Sequence, residues 1–150
     1  MAAQAWKLYN RAIHKLGGGV IVLPGAVRIA LVGSASNFAT GTLSLFTQVT
    51  DQVTEANGYS TSGKALATEV WTAGTSAGQI KFDAADPIWT ATGGAINSIK
   101  AAVLFMSAAS AANCHVLARA SLTSTAFNLS SGNTLTLQFN SSGIFTAANA

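Results

Sequence analysis

Two periods divide this chain. In residues 3–16 the apolar side chains recur at helical spacing. Trp6, Tyr9, Ile13 and Leu16 stand 3, 4 and 3 residues apart and share one face. Lys7, Arg11 and Lys15 form an i,i+4 stripe beside that face, and Gly17, Gly18 and Gly19 end the segment. From residue 20 onward the period is two. Residues 20–23 read as a short apolar strand stopped by Pro24 and Gly25. In residues 26–32, Val27, Ile29 and Leu31 alternate with Arg28 and Ala30. Residues 34–42 are small and polar and read as a loop. Residues 43–53 fit either period: Leu45, Val49 and Val53 have helical spacing, whereas the Thr and Val content favours a strand.

Further along, residues 65–72, 78–83 and 87–91 read as strands between Gly, Ser and Asp turns. Residues 99–107 are almost continuously apolar, with Lys100 their only charge, as expected of a central strand buried on both faces. Residues 114–120 should pair back onto it after a loop at 108–113. Residues 133–139 alternate cleanly, with Leu135, Leu137 and Phe139 set against Thr134, Thr136 and Gln138. A turn at 140–143 then leads into Ile144, Phe145 and Thr146. Roughly eight to ten short strands with turns every 8–12 residues predict an all-β fold, a β-sandwich, jelly roll or barrel. The expected organisation is a basic amphipathic helical arm at 1–19 and one β domain at 20–150.

The chain is organised around residues 79–92. Ile80 and Phe82 alternate with Lys81 and Asp83; Asp86 and Pro87 signal a turn; Ile88 and Trp89 start a second apolar element. Phe82, Asp83, Asp86, Pro87 and Trp89 are therefore expected to build a structural corner, with Asp86 capping the turn before Pro87.

Composition narrows the function. The chain is 49% hydrophobic and only 9% charged, against roughly 25% charged in average usage. Few charges leave little to hold copies apart, which favours assembly. The net charge is +3, and it resides at the N-terminus: Lys7, Arg11 and Lys15 meet no acid there, and the rest of the chain is balanced. A nucleic-acid binder needs a basic patch on its folded body, so none is expected as partner. No membrane association is expected either. Residues 17–32 are interrupted by Gly, Pro and Arg28, too punctuated to span a bilayer, and one short basic stripe is little to anchor a surface helix. Basic residues ahead of an apolar run give the start some likeness to a leader, but cleavage is not expected. The small, uncharged residues 146–150 are of a kind that frays when free, so a neighbouring subunit is expected to hold them.

Candidate chemistry is thin. The single cysteine, Cys114, excludes an intrachain disulfide, and adjacent His115 would point to the opposite face of a strand. Residues 58–65 imitate a phosphate-binding loop, but Ala65 stands where a magnesium-binding hydroxyl is required, so a glycine-bordered turn anchored by Tyr59 is expected instead. Asp83 and Asp86 are too few for calcium, and His14 and His115 read as structural histidines. No catalytic residue, metal or cofactor is expected.

Residues 26–146 resemble small tailed-bacteriophage virion proteins. The resemblance is carried by Ala30-Leu31-Val32, by Gly58-Tyr59 through Gly63 to Leu66, by Phe82-Asp83-Ala84-Ala85-Asp86-Pro87-Ile88-Trp89-Thr90, by the apolar strand from Ala101 to Met106, and by Gly143-Ile144-Phe145-Thr146. The Phe-Asp-Ala-x-Asp-x-x-Trp core is the most specific piece; the Gly-Tyr piece is one residue longer than the family spacing, and the basic N-terminal segment lies outside the pattern. The resemblance implies a non-enzymatic virion component, foremost a capsid decoration (cement) protein on the phage head, made in the bacterial cytoplasm. Its expected partners are the major capsid protein and neighbouring copies of itself, as a dimer or trimer. The apolar face of the N-terminal helix is expected to pack on its own domain or to dock onto a partner; for docking, the expected partner-binding residues are Trp6, Lys7, Tyr9, Arg11 and Lys15. A tail, neck or fibre-base component is the alternative. A carbohydrate-binding module would need Trp71, Trp89 or Tyr59 on an exposed platform, and an enzyme would need a gathered set of Asp and His.

Overall fold

The computed structural model describes residues 4–74 and 76–148. Its elements in chain order are β1 (Lys7–Leu8), α1 (Asn10–Gly17), β2 (Val27–Val32), β3 (Lys64–Ala65), β4 (Val70–Ala73), β5 (Gln79–Asp83), β6 (Ile88–Thr90), β7 (Ile96–Ile99), β8 (Ala101–Met106), β9 (Val116–Ser121), β10 (Phe127–Leu129), β11 (Thr134–Thr136) and β12 (Phe145–Ala148). The fold is all-β: several antiparallel sheets and one short helix. The largest sheet has the order β1-β9-β8-β2-β3; a second has β12-β5-β4; β10-β7 and β11-β6 are two-stranded.

The apolar run at 99–107 supplies β8, the middle of the largest sheet. Residues Ala101 to Phe105 are buried, because β9 and β2 take both edges and the core takes both faces. β2 pairs with β8 from Val27↔Met106 to Val32↔Ala101. Its other edge is covered by β3 for only two residues. Beyond that, Tyr59 substitutes for a strand: its hydroxyl accepts from Leu31 N at 2.9 Å and lies 3.3 Å from Leu31 O, to which it donates. The loop at 57–64 is thus the turn expected from its glycines. Gly58 has φ +91, and a Cβ there would sit 2.4 Å from Thr90 O.

The corner at 79–92 is also present, with its chemistry rearranged. Residues 84–87 are extended, not a tight turn, and carry the chain from β5 in one sheet to β6 in another. Phe82 is fully buried, 5.3 Å from Phe145 and 6.4 Å from Trp71 between ring centres; Pro87 and Trp89 are buried as well. Asp83 pairs with Lys81 at 3.0 Å. Asp86 does not cap its own turn. Its carboxylate accepts the N–H of Phe139 at 2.8 Å, while Leu137 N donates to Pro87 O. The corner is therefore fixed by a distant strand, a partner that local sequence does not reveal.

Other expectations are corrected. Residues 20–23 form bends and turns, not a strand. Residues 43–53 are neither helix nor strand but an irregular stretch around a 3-10 turn at Phe46–Gln48. Two further short strands, β7 and β10, pair with each other and were not expected as separate elements. The chain end at Phe145–Ala148 is held by β5 of the same molecule, so no neighbouring subunit is needed to order it; residues 149 and 150 lie outside the described residues.

The N-terminal segment departs most. The helix expected over 3–16 begins at Asn10, and residue 3 lies outside the described residues. Lys7 and Leu8 are extended and pair with Arg119 and Ala118 on the edge of β9. Backbone pairing on an open edge overrides helical spacing here, since that edge offers N–H and C=O groups that need partners. The helix buries Ala12, while Ile13 is 56% exposed. Tyr9 is fully buried and joins the common core with Ala12, Ile21 and Val27. The boundary expected at residue 19 therefore separates no packing units: the arm is part of the domain. Among the described residues no helix is long and apolar enough to cross a membrane.

Candidate functional site

Carboxylates and cations are used differently in this chain. All five acidic side chains accept backbone N–H groups: Asp51 from Ala35, Glu55 from Thr61, Glu69 from Gly25 and Val27, Asp83 from Ala84, and Asp86 from Phe139. Each holds a loop or corner. The Thr61 hydroxyl first, then the Thr61 N–H and the Ser60 hydroxyl, hold Glu55 below the usual carboxylate range. Only Asp83 also meets a cation within ion-pair distance among the described residues. Several cations are likewise structural. Arg28 donates to Ser62 O and Gly63 O, both at 2.7 Å, and Lys100 donates to Ser124 O.

Of the other five cations, Lys64 stands on β3 at the far edge of the large sheet, and Lys7, Arg11, Lys15 and Arg119 lie on β1, α1 and β9. Lys7 on β1 stands directly opposite Arg119 on β9. Opposed residues of an antiparallel pair share a face, and like charges so placed repel. Arg11 and Lys15 lie one turn apart on α1, Arg11 exposed and Lys15 half-buried. The Lys15 ammonium reaches His115 Nε2, just before β9, at 3.2 Å. Desolvation first and the Lys15 charge second hold the His115 imidazole below its ordinary pKa. A neutral ring accepting at Nε2 carries its proton on Nδ1.

Beneath the cations lies an aromatic floor. Tyr9 donates its hydroxyl proton to Phe38 O at 2.9 Å, and the Arg119 guanidinium carbon lies 4.8 Å from the centre of its ring. Burial pushes the Tyr9 phenol up to about 12, against a smaller opposing effect of Arg119. The buried side-chain nitrogens without a hydrogen-bond partner, among the described residues, are Trp6 Nε1, His115 Nδ1 and Arg119 Nη1. Arg119 and His115 belong to the elements that carry the cations, whereas Trp6 faces Phe139, and in these protonation states all three nitrogens are donors.

Of the five partner-binding residues expected from sequence, Lys7, Arg11 and Lys15 remain available at the surface. Trp6 is half-buried against Phe139, with ring centres 5.8 Å apart. Tyr9 is corrected: with no exposed surface it supports the site from below and touches no partner. Sequence reasoning missed Arg119 and misjudged the surroundings of His115. The signal was a single arginine inside the apolar residues 114–120, but only the pairing of β1 with β9 sets it beside Lys7. Tyr59 and Trp89 are buried and Trp71 half-buried, which removes two of the three aromatics a sugar platform would need. No three His, Cys, Asp or Glu side chains cluster to hold a metal among the described residues. Comparison with protein-family models, curated proteins and solved structures found no match.

Proposed function

We propose that this chain is a non-enzymatic structural protein of a tailed-phage virion, a decoration protein that clamps neighbouring capsid subunits through its basic face. The observation that carries the reading is the division of charge. The five carboxylates each accept a backbone N–H group of the same chain, whereas Lys7, Arg11, Lys15 and Arg119 lie on the adjoining elements β1, α1 and β9 with no acid within ion-pair distance among the described residues. Such a face complements an acidic protein surface. The major capsid protein and further copies of this chain are the proposed partners, and the outer surface of the head is the proposed location. A rigid β core, sandwich or jelly roll, suits the task. Clamping requires area and repetition, and modest contacts repeated over a shell add through effective concentration.

Deleting the arm is a poor test, because Tyr9 and Ala12 are core residues. The test is copy number per purified particle, measured by quantitative mass spectrometry, for the native chain and for the Lys7→Glu/Arg11→Glu/Lys15→Glu variant. A ratio to the major capsid protein near one, or a simple fraction of one, is expected, falling at least tenfold in the variant. A few copies per particle would move the protein to the tail or neck. Full occupancy by the variant would remove the basic face from the interface.

A further inference from the structure

A second cavity-lining arrangement at the β1–β9 pair has a more specific chemistry than a basic surface. A cavity of about 190 Å³ is lined by Gln4, Lys7, Phe38, Arg119 and Ser121 among others. Arg119 Nη1 is buried without a hydrogen-bond partner. A buried guanidinium N–H left unpaired costs more than a neutral group would, because charged groups lose more on leaving water. The Tyr9 ring beneath the guanidinium offers its π face, and its hydroxyl, which donates to Phe38 O, also meets Arg119 through its oxygen, so Nη1 is the part of the guanidinium left without a partner. Lys7 adds a second positive charge directly opposite in the strand register. Two cations facing one another across a strand pair, one with an unanswered buried donor, form an arrangement that a bound anion relieves.

We infer that the Lys7–Arg119 cavity is a socket for a single carboxylate, supplied by an Asp or Glu side chain of a protein partner. A guanidinium presents parallel N–H groups that match a planar carboxylate, and Lys7 adds a point charge at the rim. The Gln4 and Ser121 side chains carry further hydrogen-bonding groups at the wall. Nucleic-acid phosphate is the poorer fit. A polyphosphate backbone is held by a row of cations with bases stacked on exposed aromatics, whereas here one small cavity takes one anion and Tyr9 is sealed beneath it. The inference rests on the reading that this face meets a protein.

The test uses the whole chain in solution and two capped pentapeptides, one carrying two glutamates and the other glutamines in their place. Arginine side-chain Nε–H signals and the backbone amides of β9 are followed by NMR during titration. The glutamate peptide should produce saturable shifts confined to β1 and β9, with Kd on the order of 1 mM for an isolated contact. Lys7→Gln should weaken binding at least fivefold and Arg119→Gln at least tenfold. Should Arg119→Gln fail to fold, Arg119→Lys keeps the charge without the fork and should also weaken binding. Absence of saturable shifts would overturn the socket, as would equal shifts with the glutamine peptide or unchanged affinity in Lys7→Gln. Tighter binding of inorganic phosphate or a thymidine oligonucleotide than of the glutamate peptide would overturn it too. If peptide binding fails while copy number stays shell-wide, the socket falls and the decoration reading stands. If the peptide binds a protein present in few copies per particle, the reverse holds.

Discussion

Tyr59 helps to complete the sheet edge at Leu31, which is otherwise met there only by the single bridge Val32↔Gln52 and the Val53 N–H. Its hydroxyl answers both the N–H and the C=O of Leu31, so a side chain performs the work of a paired residue. Burial pushes its phenol up to about 12, outweighing the opposing hydrogen bond its oxygen accepts from the Leu31 N–H, and Tyr9 is raised to about the same value. These are the only two tyrosines in the chain. The sign follows from linkage. A folded-state pKa above the unfolded value of 10 stabilises the neutral form, so the contribution is complete below pH ~10 and is lost as pH rises toward about 12. Phenolate absorbance of the native protein should therefore stay flat through the range where free tyrosine ionises, and rise together with loss of β-sheet circular dichroism. A separate phenolate transition near pH 10 in folded protein would show that one phenol is open to water. The anchoring role of Tyr59 was legible from its glycine-bordered loop, but the burial of Tyr9 was not. Tyr9 falls on the apolar face of the segment, which sequence alone could set against its own domain or against a partner, and only the β1–β9 pairing turns it inward.

Among the elements, β8 and the loop at 57–64 contrast in how sequence encodes them. β8 is recognisable because a strand buried on both faces has no polar positions to alternate, and an unbroken apolar run is its direct signature. The loop is recognisable through its glycines, and their necessity can be tested. Gly58 combines φ +91 with a backbone oxygen, Thr90 O, where a Cβ would stand. Gly58→Ala must shift a backbone segment as well as adopt a conformation L residues avoid. A cost of about 2–4 kcal/mol is expected, read as a lower urea midpoint with an unchanged slope. The same substitution at Gly132, where φ is +85 but nothing lies within 4 Å, should cost less because it meets backbone strain alone. Equal losses at the two positions would mean that the contact with Thr90 O is relieved at no cost. By contrast, β7 and β10 were not read: β7 runs into the apolar residues 99–107 with only Lys100 between it and β8, and β10 is three residues among small polar ones with no longer alternation around it.

For the whole molecule, the N-terminal segment decides between an appended arm and an integral edge. β1 closes one side of the largest sheet, and Tyr9 and Ala12 belong to the common core. Removing residues 1–16 should therefore lower stability by more than about 4 kcal/mol, the scale expected for emptying a large aromatic from a core, and broaden or abolish cooperative thermal unfolding. A truncated chain that unfolds at the native temperature would restore the picture of a detachable arm. Integration also gives the basic face a fixed geometry. Its cations are held on a sheet edge and a packed helix, so docking would order fewer flexible groups than a free tail would require.

The sequence by itself determined the all-β class, the central strand, the alternating partners β2 and β5, the glycine-bordered loop, and the concentration of unpaired positive charge near the N-terminus. Those features depend on local periodicity, turn stereochemistry and charge counting, all of which are readable from neighbours in the chain. Only the tertiary structure decided that Asp86 ties down Phe139, that Glu69 holds the Gly25–Val27 turn, and that residues 84–87 pass between sheets. It alone set Arg119 opposite Lys7 over a buried Tyr9. Each of those contacts joins residues many positions apart, and a hydrogen bond or strand register over such a distance is fixed by the packing of the whole core, which no local pattern encodes.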